Sequence, residues 1–343
     1  MRPLPLLLLS LIVAVLALDQ ARGADVDYSA RGPFAVRDVD ASWTDTARQR
    51  DLPLRIRLPE AVGRRPTILF SHGLGGSRGG GAEWGEHWAS HGFAVIHVQH
   101  PGSDESLWKD RPMGERMAGL RSGADLRQFM ARIADIRFVV SELGRRQTAG
   151  DTLAARVDLD RLGMSGHSFG AITTLYLGGQ RPAASVADWL DRDFSEARFA
   201  AFLAFSPQAM GSDPAQQFVR FTRPALLVTG TLDGQPFPGL GASPAQRLVP
   251  FEAMAATGNK FLLVVEQADH MYFNGTRGLR DIGASGRDGI DFAAIERRGY
   301  RLVKAVSTAY WQAYLQNDDA AMRWLKGGAA AELAADSGYL KAK

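Results

Sequence analysis

The sequence predicts an α/β fold: a mostly parallel central sheet with helices on both faces. Three observations predict it. Short apolar runs of four to seven residues, bounded by turn signals, recur between Thr67 and Val265, as strands buried on both faces do. Between several of them lie segments whose apolar residues repeat at helical spacing. The pentapeptide Gly166-His167-Ser168-Phe169-Gly170 joins one such run (Arg161 to Ser165) to an apolar helix-like run (Ala171 to Leu177). Alternating strands and helices pack as one sheet covered on both sides.

Taken in order, Val36 to Trp43 and Leu52 to Leu58 read as a first pair of strands, with Leu54, Ile56 and Leu58 alternating with Arg55 and Arg57. Thr67 to Phe70, which ends at a Gly-rich loop, and Phe93 to Val98 read as buried strands. Ser122 or Asp125 is placed to open a helix carrying Leu126, Phe129, Met130, Ile133, Ile136, Val140 and Leu143, and Gly144 is placed to end it. Leu162 to Ser165 leads into the serine turn. Phe199 to Phe205, Ala225 to Val228 and Phe261 to Val265 are three further strands. A last helix is expected over Phe292 to Trp324, followed by an Ala-rich tail, Gly327 to Lys343, read as a frayed helix. Pro101 to Arg121, Gln235 to Gln246 and Asn274 to Arg287 are irregular and each follows a strand, so they are placed to overhang the carboxyl end of the sheet, where reactive groups collect.

The 343 residues show no internal repeat and no linker that would divide them. With 45% hydrophobic residues the chain can bury a large core. A net charge of +3, without a dense basic run, argues against nucleic acid and against an anionic membrane surface. Arg2, the apolar run Leu4 to Leu18 and the small residues of Ala21-Arg22-Gly23 read as an export signal cleaved after Gly23. The run is shorter than the roughly 20 apolar residues of a membrane span. The expected mature chain is one domain, residues 24–343, exported to the periplasm or secreted. It has no cysteine, which excludes disulfides, a thiolate nucleophile and any cysteine-ligated metal.

A bare G-x-S-x-G is weak evidence in a chain with 37 glycines; the strand before it and the helix after it make Ser168 a candidate nucleophile, held on a sharp turn above the sheet. A serine hydroxyl needs a base, and the base needs an orienting carboxylate. His270 is the one histidine downstream of Ser168, separated from the run Phe261 to Val265 by Glu266-Gln267-Ala268-Asp269. Asp233, just beyond Ala225 to Val228, is the candidate acid; Asp269, Asp213 and Glu266 are its rivals. The oxyanion that forms on attack needs preset donors. The Phe169 N–H, next to the nucleophile, is one. The Gly-rich stretch Ser71-His72-Gly73-Leu74-Gly75-Gly76 supplies the other, with the Leu74 N–H as the candidate. No nucleotide signature accompanies these glycines. His72 reads as a brace for this loop and His167 as a packing residue beside the turn. His87, His91, His97 and His100 lie close together in sequence, but no carboxylate cluster joins them, and neither a metal nor another cofactor is expected. Trp84, Trp88, Trp108 and Phe237 are placed either to line an apolar pocket or to sit in the core.

Together these residues resemble the serine branch of the α/β-hydrolase superfamily, and within it the plasma-type platelet-activating-factor acetylhydrolases and the bacterial dienelactone-hydrolase-like secreted esterases. Ser-His-Gly-Leu-Gly at 71–75, Gly-His-Ser-Phe-Gly at 166–170 and the entry Gly32-Pro33-Phe34 carry the resemblance, which spans about Gly32 to Tyr310. It implies an α/β-hydrolase fold and a cofactor-independent carboxylic ester hydrolase acting on a small-molecule or lipid-type ester. Two departures stand against the pattern. Dienelactone hydrolases proper use cysteine, where this chain has Ser168. The acetylhydrolases carry the acid after the strand that follows the nucleophile helix, and here that strand ends in Ser206-Pro207-Gln208. A peptidase or acyltransferase using the same residues, and a non-catalytic binding module on a hydrolase scaffold, are the rival functions.

Overall fold

Among the described residues nine strands form one sheet in the order β1-β2-β4-β3-β5-β6-β7-β8-β9. They are β1 (Val36–Asp45), β2 (Arg50–Pro59), β3 (Arg65–Ser71), β4 (Ala94–Val98), β5 (Val157–His167), β6 (Phe199–Phe205), β7 (Ala225–Leu232), β8 (Lys260–Asp269) and β9 (Gly338–Ala342). The six strands from β3 to β8 run parallel, and β1, β2 and β9 complete the edges antiparallel. The structure is a computed structural model that describes residues 26–182, 193–237, 239, 241–276 and 292–343. The expected export signal, residues 1–23, lies outside the described residues, as does 277–287 of the stretch after β8.

The apolar runs become strands because each has a place to bury both faces. Alternate side chains separate cleanly. Leu69, Ile96, Met164, Phe202, Ala204, Leu227 and Leu262 pack on one side with Phe129, Ile133 and Ile136 of a long helix and Ala171 and Leu175 of the helix after Ser168. Phe70, Val95, Leu203, Phe205, Val228 and Leu263 pack on the other with Trp84, Trp88, Val303, Val306 and Tyr310. The helices are α1 (Ala82–Ser90), α2 (Met113–Ser122), α3 (Leu126–Thr148), α4 (Phe169–Leu177), α5 (Pro214–Phe218), α6 (Pro244–Ala253), α7 (Phe292–Leu315), α8 (Asp319–Lys326) and α9 (Ala329–Ala335). This is the α/β architecture the sequence predicts.

Four elements differ from expectation. Asp125 caps α3, its carboxylate accepting from Gln128 N at 2.7 Å, but Gly144 does not end that helix, which runs on to Thr148. The Gln147 amide holds the last turn by donating to Ala154 O and Val157 O, at 2.9 and 2.8 Å, and this outweighs the weak helix propensity of one glycine. The irregular stretch Pro101 to Arg121 contains most of α2. The expected last helix breaks after Leu315: Asn317 takes a left-handed conformation (φ 56°), and the Asp318 carboxylate caps α8 through Ala320 N and Ala321 N. The tail is a frayed helix only as far as Ala335. Gly338 to Ala342 then add β9 to β8, pairing Phe261 with Ala342 and Val265 with Gly338. An unpaired β8 edge would leave its N–H and C=O groups without partners, and that requirement overrides the local preference of an Ala-rich sequence.

Candidate active site

Ser168 sits between the end of β5 and the start of α4, with φ 56° and ψ −113°. A side chain at positive φ is strained, and the surroundings hold it there. The turn closes this tightly because Gly166 and Gly170 have no side chains: a Cβ on Gly166 would meet the Gly170 carbonyl, and one on Gly170 the Ser71 carbonyl. Ser168 N donates to Phe205 O at 3.0 Å, which ties the turn to the neighbouring strand.

The parallel strands end on one side of the molecule, and three side chains meet there. His270, the residue after β8, brings Nε2 to 2.9 Å from Ser168 Oγ. Its Nδ1 donates to Asp233 Oδ1 at 2.8 Å. Asp233, the residue after β7, is fully buried, and its second oxygen accepts from Thr229 Oγ1 at 2.8 Å. The rival carboxylates go elsewhere. Asp269 accepts from Tyr272 N at 2.9 Å and braces the turn beyond His270. Asp213 caps α5 through Gln216 N, and Glu266 is exposed. Burial by itself would raise the Asp233 carboxyl, but the hydrogen bond and charge of His270, with the Arg247 guanidinium, hold it below the ordinary carboxylate value.

The loop after β3 lies against the serine. A Cβ built on Gly73 would stand 3.4 Å from Ser168 Cβ. Gly75 N donates to Ser103 O at 2.9 Å and Gly76 N to Gly73 O at 3.1 Å; among the described residues the Leu74 N–H has no backbone acceptor. Phe169 is the first residue of α4, so its N–H has no acceptor within the helix. Among the described residues neither N–H has a backbone acceptor. His72 is buried, donates from Nδ1 to Gly73 O at 2.6 Å and accepts from His100 N at 3.0 Å. Burial, with the charges of Arg132 and His100, pushes its imidazolium form well out of the neutral range. His167 donates from Nε2 to His270 O at 2.9 Å, and its ring lies 4.8 Å from the His270 ring, tilted by 43°.

His87, His91 and His97 bond to the carbonyls of Tyr28, Ala30 and Gly80, and His100 bonds to Asp135. Among the described residues no group of three His, Cys, Asp or Glu side chains is placed to hold a metal. Trp84 and Trp88 are core, stacked on Phe205. Trp108 donates to Gly75 O at 2.6 Å and supports the Gly-rich loop, while Phe237 is half-buried.

Sequence reasoning missed three buried charges. Arg247, on α6, lies 3.3 Å from Asp233 Oδ1 and donates to Ser206 O and Gln208 Oε1, each at 3.0 Å. Arg132 and Asp135 lie on α3, fully buried. Their sequence signal was there: both fall on the helix face defined by Phe129, Ile133 and Ile136.

The parallel sheet, the strained serine at the β5–α4 turn and the histidine and aspartate after β8 and β7 are the architecture of the α/β-hydrolase superfamily. Within that class, residues 54–111 match the family model described as "Platelet-activating factor acetylhydrolase, isoform II", and the chain is similar to that family over this stretch. The matched segment holds most of β2, all of β3 and β4, and the Ser71–Gly76 loop. No curated protein matches the chain. Among the described residues no helix is long and apolar enough to cross a membrane.

Proposed function

We propose that the chain is a serine hydrolase of short-acyl carboxylic esters, exported behind residues 1–23 and acting as one domain over 24–343. The observation that carries this reading is the continuous hydrogen-bonded path from Ser168 Oγ through His270 to Asp233, at 2.9 and 2.8 Å. In the reaction Ser168 Oγ attacks the ester carbonyl as His270 Nε2 takes its proton. The carbonyl oxygen becomes an oxyanion held by the N–H groups of Leu74 and Phe169. His270 returns the proton to the leaving alcohol, which departs and leaves an acyl-Ser168. A water molecule, deprotonated by His270, then releases the acid and restores the hydroxyl. Asp233 keeps the His270 proton on Nδ1 and offsets the imidazolium charge. The matched family, whose name describes an acetylhydrolase, supports a short acyl group.

The test is Ser168→Ala on a short-chain aryl ester. The expected outcome is a fall in kcat of at least about 10⁴-fold with the fold retained; undiminished turnover refutes the assignment. A series of acyl lengths on the same enzyme is expected to peak at two to four carbons, about the size the reading allows.

A further inference from the structure

Behind the Ser71–Leu74 loop lies a cation that none of these steps uses. Arg132 is fully buried. Its Nη1 donates to His72 O at 2.6 Å, Nε donates to Ser103 Oγ at 2.9 Å, and Nη2 reaches Gly73 O at 3.4 Å and Ser103 O at 3.3 Å. The guanidinium carbon stands 4.3 Å from the centre of the Phe169 ring. One cation thus touches both residues beside which the oxyanion would form: the Gly73–Leu74 peptide through its carbonyl, and Phe169 through its ring.

The hydrogen bonds explain what that contact does. In a trans peptide the C=O and N–H point in opposite directions. The Gly73 carbonyl is held toward the interior by His72 Nδ1, at 2.6 Å, and by Arg132. The Leu74 N–H is therefore turned the other way. Donation to a carbonyl also draws electron density from its amide and makes the N–H a stronger donor. His72 cannot swing out of this role, because its Nε2 accepts from His100 N. Arg132, for its part, forms no close ion pair with a carboxylate among the described residues; its polar contacts are hydroxyl and carbonyl oxygens, with His72 Nδ1 3.4 Å from Nη2. A buried guanidinium with no carboxylate in ion-pair contact is costly as mere packing. Burial, opposed by Asp135 and Asp104, brings it down to about 9, so it carries its charge at neutral pH.

We propose that Arg132 is a positioning residue for both oxyanion donors: it fixes and polarises the Gly73–Leu74 peptide and clamps the Phe169 ring, so that two N–H groups face the oxygen that gains charge. The inference rests on the reading of Ser168 as nucleophile and of Leu74 and Phe169 as donors.

The experiment measures kcat and KM on a short-chain aryl ester and the Ki of the matching trifluoromethyl ketone, whose adduct with Ser168 carries the same oxyanion. Arg132→Met, shown folded by circular dichroism, is expected to lower kcat about 10²-fold, the scale of one lost oxyanion donor. KM is expected to move less than about threefold, and Ki to rise by the factor lost in kcat/KM. Arg132→Lys keeps the charge but cannot span the two carbonyls or lie flat on the ring, and is expected to lose about tenfold in kcat and Ki together. Phe169→Leu keeps the backbone N–H and removes the ring, and is expected to lose about fivefold in both. A merely structural role would lower the folded fraction without coupling kcat to Ki. Folded Arg132→Met with parental kcat, or with lost kcat and an unchanged Ki, overturns the proposal. If Arg132→Met does not fold, parental kcat and Ki in Arg132→Lys or in Phe169→Leu overturn it. Ser168→Ala run alongside separates the two readings: an active Ser168→Ala sinks the nucleophile assignment, whereas an inactive one beside unaffected Arg132 variants sinks this inference alone.

Discussion

At the scale of single residues, the choice between Asp233 and Asp269 turns on direction and not on sequence distance. Asp269 adjoins His270, yet its carboxylate accepts from Tyr272 N, while Asp233 reaches His270 Nδ1 from another strand end. Asp233→Asn is expected to lower kcat by about 10³–10⁴-fold, because an amide in its place favours the wrong imidazole tautomer. Asp269→Asn, assayed beside it, is expected to stay within about threefold of the parent; the reverse ranking would transfer the acid's role to Asp269. Ser168, Asp233 and His270 could be picked out of the sequence because each stands just past an apolar run, and the end of a buried strand is a local signal. Arg247 and Arg132 had no such signal. Arg247 meets Asp233 and Ser206 across the fold, and nothing near residue 247 announces those partners. Arg132 is marked only by its place on an apolar helix face, where a charge reads as a solvated side chain until its partners at Ser71, His72 and Ser103 are known.

At the scale of elements, strands buried on both faces were legible because their composition is set by burial, and elements set by pairing or capping were not. β9 is a strand because β8 offers an open edge; residues 338–342, with their glycine, lysine and alanine, carry no strand pattern of their own. The end of α7 was hidden because the apolar period continues through Ala321, Trp324 and Leu325 while the backbone reverses at Asn317. Asn317-Asp318 was the local clue, since Asn tolerates the left-handed region and Asp caps a following helix. The capping bonds from Ala320 N and Ala321 N to Asp318 Oδ1, at 2.8 and 3.1 Å, give this element its own test. Asp318→Ala is expected to destabilise the protein by about 1 kcal/mol in urea unfolding, with catalysis unchanged, because α8 packs on the side of the sheet away from α3 and α4. An unaltered unfolding midpoint would show that packing of Trp324 and Leu325 alone holds α8 in place.

At the scale of the whole molecule, the buried histidines make stability depend on pH. His87 and His100 are both held neutral, burial bringing each down to about 4 from an ordinary 6.5; burial pushes His72, His97 and His167 well below 6.5 too. A histidine with a depressed folded-state pKa binds protons more readily when the chain is unfolded. The stability it contributes is whole above about 6.5 and is lost as pH falls toward the folded value. Asp135 adds a second window lower down. Burial would raise its carboxyl, but His100 and Arg50 hold it at about 2, so its contribution is present above about 3.8 and lost as pH falls through 2. With a slope of up to about 1.4 kcal/mol per pH unit for each proton taken up, two such histidines remove about 6 kcal/mol by pH 4, a large share of the roughly 5–15 kcal/mol that holds an ordinary domain. The urea midpoint is therefore expected to fall steadily from pH 6.5 to 4.5, with a slope of two or more protons. His87→Gln, which removes a titrating group distant from Ser168 in the fold, is expected to cut that slope by about one proton while kcat at pH 8 stays parental. A midpoint that holds level down to pH 4.5 would mean that these imidazoles take up their protons without unfolding the chain, and the buried carbonyl partners of His87 and His97, at Tyr28 and Gly80, would then have to accommodate the charged rings.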